Sequence, residues 1–474
     1  MNYYRRALSC YAISQANGKA LPQWKGGGAN DAKEVALVMK MCKCHVELND
    51  SSAAVKEMES VPAKLRTVDV NMTLGKLYRA ANLKRLAVAA YKAVVVTQPY
   101  AMEAIQWLFS LGVEHAEIEA LMEGVAAAPT HAWAKRVVAA LASLRVCDHA
   151  QFMVQYNVLA QNYPENVWLK AKLAWSLVQA ENQSEALQVF RQIRIADPTY
   201  SEGIEMFGLL LFESGMSREL NLLANDMLAV DAQRPTGWLV AALCCQLKGE
   251  HEKAKALVEK AVDMEPLPAC FNIKGRILLA EGQSNDLAVI AFFQANSLDK
   301  SLMSFAGLVQ AQLALGKVKD ATSAAKDAIT MLPKSPLACI LVGQCLARSA
   351  NGLVESMKAY SRALKLDPAC ARAASSLAEI LVSQGKLHEA SLCLPSVLER
   401  QSSYQLRLQF AKILISLGNY TEAIEQLHAA IVQAPADNNT EAVAELERVE
   451  GLLAANAEEE LLEGEDEGEG EGGE

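Results

Sequence analysis

Between residues 68 and 99 the apolar and small positions fall at Leu74, Gly75 and Tyr78, then at Ala87, Tyr91 and Val94, and the stretch closes on Pro99. Spacings of three and four residues put each set on one face of a helix, so the pattern predicts two short helices joined by a turn. The same arrangement returns in residues 235–266 (Trp238, Gly249, Ala254, Val258, Ala261, Pro266), in 302–333 (Gly316, Ala321, Ala325, Ala328, Pro333) and in 404–435 (Gly418, Tyr420, Ala423, Leu427, Ala430, Pro435). Prolines mark the period: Pro99, Pro164, Pro198, Pro266, Pro333, Pro368 and Pro435 are separated by 65, 34, 68, 67, 35 and 67 residues, all close to one or two times 34. Each recurring feature of the period has a mechanical reason. A small residue near position 8 of the first helix lets the second approach closely. A glycine near position 15 (Gly215, Gly249, Gly282, Gly316, Gly385, Gly418) permits a left-handed turn, and proline near position 32 stops the second helix.

A helical hairpin repeated every 34 residues resembles the tetratricopeptide repeat. Twelve repeats can be parsed: 33–62, 68–99, 100–130, 133–164, 167–198, 201–232, 235–266, 269–300, 302–333, 337–368, 371–402 and 404–435. The first and third are degenerate, and 269–300 and 337–368 carry one extra residue in the turn. No single hairpin can bury its apolar face, whereas stacking does so. The expected fold is therefore all-α, a right-handed superhelical solenoid of about twelve hairpins with a concave inner surface. Around the array (33–435), residues 1–32 read as a partial repeat helix and a Gly-rich loop, 436–457 as a capping helix, and 458–474 as a disordered acidic tail. Residues 3–16 fill the second-helix positions of a repeat whose first helix is absent, so either the array begins with an unpaired helix or the chain has lost its true start.

Composition sharpens this picture. Hydrophobic residues make up 51% of the 474 and aromatics only 6%, with alanine and leucine, strong helix formers, in the majority. The net charge of -10 is carried by the tail: ten of the 55 acids lie in 458–474, so the 45 that remain balance the 45 lysines and arginines. A neutral body argues against nucleic-acid binding and against a polybasic membrane patch. No run approaches the ~20 apolar residues of a membrane span, and no secretory leader is visible. Eleven scattered cysteines, several inside apolar helical runs, fit a reducing compartment, nucleus and cytoplasm.

The chain carries no phosphate-binding glycine loop, no dinucleotide fingerprint, no H-E-x-x-H and no G-x-S-x-G. Cys42, Cys44 and His45 lack the spacing and the second ligand pair of a metal site, and the two cysteines read as core residues, as do Cys244 and Cys245, with Cys245 at a core position. No catalytic residue, cofactor or metal is expected. Binding candidates are inner-surface positions of the array, Leu209, Phe212, Leu239 and Leu243, which could equally pack between turns of the superhelix. The lysines and asparagines with which co-chaperone repeats clamp a C-terminal carboxylate cannot be assembled on three consecutive repeats. The tail is either solubilising or a dock for a basic partner.

Residues Asp197–Pro266 go further than the generic repeat. Asp197-Pro198, Glu205-Met206-Phe207, Leu210-Leu211, Glu219-Leu220 and Trp238 resemble the tetratricopeptide subunits of the anaphase-promoting complex, or cyclosome. Val70–Ile105, the truncated Tyr4–Ser14 helix and the acidic tail bring the resemblance nearest to the subunit 7 group. Pro336–Ala347 lacks the aromatics of the later repeats of subunits 3, 6 and 8. The resemblance implies a non-catalytic scaffold in a multi-subunit E3 ubiquitin ligase that marks cell-cycle regulators for destruction. It also implies contact with other tetratricopeptide subunits, subunit 3 first among them, and a homodimer where the N-terminal repeats are whole. The alternative is a peptide-receptor adaptor of the co-chaperone or trafficking kind.

Overall fold

An inner helix of about thirteen residues, a tight turn and an outer helix of about fourteen is the unit that these sequences build. The computed structural model describes residues 2–17, 29–48, 50–122, 132–282, 284–349, 352–400, 403–433, 440–451 and 453. Among them every regular element is helical. After a lone helix Asn2–Asn17, helices follow one another as twelve pairs, from Ala29–Glu47 with Ser51–Glu59 to Tyr404–Ser416 with Tyr420–Gln433. Starts are set by caps: the side chains of Asp50, Thr67, Asp148, Asn166, Ser301, Ser335 and Ser403 each accept a hydrogen bond from an amide three residues on. The inner helices at Pro268 and Pro336 begin one residue earlier than the repeat spacing predicts, because proline is well placed in a first helical turn, where its missing N–H has no partner to lose. One outer helix breaks: Leu387–Cys393 stops and Pro395–Leu398 restarts, since Pro395 has no N–H to continue the ladder.

The turn between the helices needs one residue with positive φ. All six predicted glycines supply it, with φ between 68° and 81°. Where glycine is missing, the fifteenth residue of the repeat still adopts this geometry: Asn82 at 59°, Cys147 at 57° and Glu181 at 59°. The turn is thus imposed by the hairpin, and these three side chains carry its strain.

Close approach of the helices is bounded by small residues. A methyl group on Gly75 would lie 2.5 Å from the Tyr91 ring, one on Gly275 would lie 2.7 Å from Phe292, and one on Gly343 would lie 2.7 Å from Tyr360. Phe292 is held on both sides, because a Cβ on Gly307 in the next inner helix would come within 2.1 Å of it. Here the aromatic of one hairpin is wedged between its own inner helix and that of its neighbour.

The chain divides into two compact units. The first comprises Met1–Lys248, Lys260–Ala269 and Gln294–Lys300, and the second Gly249–Glu259, Cys270–Phe293 and Ser301–Glu474. In the first, Tyr91, Ile105, Leu108, Phe152 and Phe190 are wholly buried, and Phe190 stacks on Phe207 at 5.3 Å. In the second, Phe292, Phe305 and Tyr360 fill the same role among alanines. The second unit ends in a helix over 440–451 that buries Ala442 and Val449 with Leu408, Ala411 and Leu427, while Lys412 pairs with Glu441 at 2.6 Å. The Gly-rich loop and the acidic tail lie outside the described residues.

Two outcomes follow from this packing. Gly307→Ala should lower stability by about 1–3 kcal/mol through overpacking, and Phe292→Leu in the same chain should restore part of the loss. Denaturant titration of the single and double variants checks both. Glu181→Gly should raise stability by about 0.5–1 kcal/mol by relieving the left-handed residue, read as an upward shift of the midpoint at unchanged slope.

Candidate docking surface of the inner helices

In a stacked hairpin array the inner helices share one face, and the ninth, twelfth and thirteenth residues of each look onto it. In the second unit, helices Leu302–Ala314, Pro336–Ala347 and Ala371–Ser383 place Gln310, Gln344 and Glu379 at the ninth position. With Leu279, Leu313 and Arg348 they line an open groove of about 700 Å³. Tyr360 forms part of its wall, where burial raises its phenol above the ordinary value, opposed by hydrogen bonds with Ser376 and Ser356. The Arg348 guanidinium reaches the Leu313 carbonyl at 3.5 Å, and the side-chain oxygen of Asn285 at the groove edge is buried with no hydrogen-bond partner. Amides, one guanidinium and one carboxylate over an apolar floor can hydrogen-bond a polypeptide.

The first unit differs. Its inner positions include the four residues read from the sequence, and the structure does not bring them out to solvent together. Leu209 is 4% exposed and Leu239 and Leu243 are each 1% exposed, packed among the inner helices, so only the half-buried Phe212 offers surface. The apolar character that marked these positions is itself what buries them. What the inner helices and nearby loops present instead is charge. Lys172 bonds Glu202 at 2.6 Å and lies 5.3 Å above the Trp168 ring. Beside this pair, burial pushes the Glu205 carboxyl up to about 7; a bond from its own backbone and Lys172 oppose the rise, and Glu202 adds to it. Arg79 lies 3.2 Å over Trp107, with its guanidinium pKa lowered by burial against the opposing influence of Tyr91, Glu265, Asp299 and Glu103. Arg145 donates to Asp299 at 3.3 Å and to the Lys300 carbonyl at 3.5 Å.

The cysteines fall mainly in the interior. Cys42 and Cys44 are buried, and burial with the Glu57 charge pushes the Cys42 thiol up to about 11. Cys147, Cys244, Cys270, Cys339, Cys345 and Cys370 are buried too. Cys244 rather than Cys245 is the core member of that pair, since Cys245 stays partly exposed. Among the described residues, no three His, Cys, Asp or Glu side chains are grouped to hold a metal ion, and no helix is long and apolar enough to cross a membrane.

Comparison with known proteins places this geometry. Models of the tetratricopeptide repeat match residues 235–266 and 355–391. Anaphase-promoting complex subunit 7 of Arabidopsis thaliana is 29% identical over 439 residues, covering 90% of this chain and 76% of that protein. Subunit 7 of Homo sapiens is 24% identical over 476 residues, covering 97% and 84%. The crystal structure of the APC/C hetero-tetramer Cut9-Hcn1 superposes with a TM-score of 0.58 at 18% identity over 93% of this chain and 88% of that one, a likeness of fold. The chain carries sequences matching the tetratricopeptide repeat at residues 235–266 and 355–391, and it is similar, through most of its length, to subunit 7 of the anaphase-promoting complex.

Proposed function

We propose that this chain is a non-catalytic scaffold subunit of a multi-subunit E3 ubiquitin ligase, the anaphase-promoting complex, acting in cell-cycle control and ubiquitin-dependent proteolysis. One observation carries the reading: the similarity to subunit 7 extends over 90% of the chain and 76% of the Arabidopsis relative, taking in both compact units rather than a few generic repeats. A repeat fold alone names no function, because hairpin arrays serve many partners. It does define the means, which is surface: an array of hairpins offers long apolar and polar faces, and assembly uses those faces as interfaces with apolar centres and polar rims. The partners in this reading are other tetratricopeptide subunits, subunit 3 foremost, in the nucleus and cytoplasm. Of Leu209, Phe212, Leu239 and Leu243, Phe212 is the one with side-chain surface to give.

Tagged full-length chain purified from its own cells, followed by mass spectrometry, tests the proposal. The expected result is recovery of the other subunits of the complex, enriched tenfold or more over an untagged control. Recovery of chaperones or vesicle-coat proteins in their place would remove the scaffold reading.

A further inference from the structure

Outer helices of the second unit share a register set by their buried residues. Ala254 and Val258 in one, Ala288, Ala291 and Phe292 in the next, Ala321, Ala324 and Ala325 in the next, and Ser356 and Tyr360 in the fourth occupy equivalent places. That register fixes which outward positions correspond. Three of them carry Lys253, Ala256 and Glu259 in the first helix, Asp320, Ser323 and Lys326 in the third, and Glu355, Lys358 and Ser361 in the fourth. In helix Asn285–Leu298 the same three positions are Leu287, Ile290 and Phe293, which are 55%, 52% and 64% exposed. Nothing in the hairpin's own packing calls for large apolar residues there, since the neighbouring hairpins use polar residues and one alanine.

The spacing says what shape would cover them. Residues three apart form a ridge that runs obliquely along a helix, and such a ridge packs into the groove between the i±4 rows of another helix. The three side chains offer about 350 Å² of apolar surface, taking ~200 Å² for a large side chain. Against a second copy of itself the patch would bury about 700 Å² in all, short of the roughly 1,200 Å² at which stable interfaces begin. Set within a broader contact, ringed by the charged positions of the flanking helices, it has the proportions of an apolar centre with a polar rim.

We infer that the Leu287–Ile290–Phe293 ridge is the anchor by which the second unit docks onto a helix of another tetratricopeptide subunit. The inference rests on the scaffold reading and adds to it the repeat through which the contact is made.

The test compares the full-length chain with its Leu287→Lys/Ile290→Lys/Phe293→Lys variant, both tagged and purified from cells, with sister tetratricopeptide subunits quantified by mass spectrometry. The variant should keep its unfolding midpoint, because all three side chains are exposed, and should lose tenfold or more of the sister subunits. A matched change on the following outer helix, Ser323→Lys, should lose none. Equal recovery by the ridge variant and the wild type would overturn the inference while leaving the scaffold reading intact. If the wild type recovers no sister subunit, both fall. Light scattering on the purified chains covers the other occupant: a dimer present in the wild type and absent in the variant would assign the ridge to self-association and overturn the inference.

Discussion

The constraint beneath this structure is how near two helix backbones can come. At Gly75, Gly275 and Gly343 an aromatic ring from the outer helix rests directly on the inner helix where any side chain would collide with it. That contact limits how closely the two helices of these hairpins approach. Phe292, held between Gly275 and Gly307, shows the same contact joining hairpins as well as closing one. Because each hairpin buries its apolar side only through its neighbours, stability accumulates along the stack and the outward face is left free to vary. Exposed ion pairs, such as Lys76 with Glu103 between successive inner helices, contribute at most about 1 kcal/mol each.

Much of this could be read from the chain itself. The 34-residue period, the six turn glycines and the small residues beneath aromatic rings are local rules, and local rules leave local marks. The period also locates Asn82, Cys147 and Glu181 in turns where no glycine announces them. The subunit resemblance drawn from residues 197–266 agrees with similarity that runs through most of the chain. Pro395 falls outside the proline period, and its effect shows in the broken outer helix rather than in the repeat length.

The surface was less legible. An apolar residue on an inner helix has the same sequence appearance whether it faces a partner or the next helix, and Leu209, Leu239 and Leu243 turned out to face the protein. The pairing of Arg145 with Asp299 spans 154 residues and left no pattern to find, because it depends on where the array brings its hairpins rather than on any one of them. Conversely, Leu287, Ile290 and Phe293 looked like ordinary helix positions until the burial of Ala288 and Phe292 fixed the register against which they stand out.

The buried thiols have a consequence of their own. Cys42, Cys147, Cys244, Cys270, Cys345 and Cys370 are distributed through hairpins along the chain, each enclosed, and burial pushes Cys345, like Cys42, up to about 11. An enclosed thiol held protonated reacts with an alkylating reagent only when its hairpin opens. The protein therefore contains its own set of stopwatches: the order in which these sulfurs become modified would record where along the stack unravelling starts and how far it spreads before the whole array lets go.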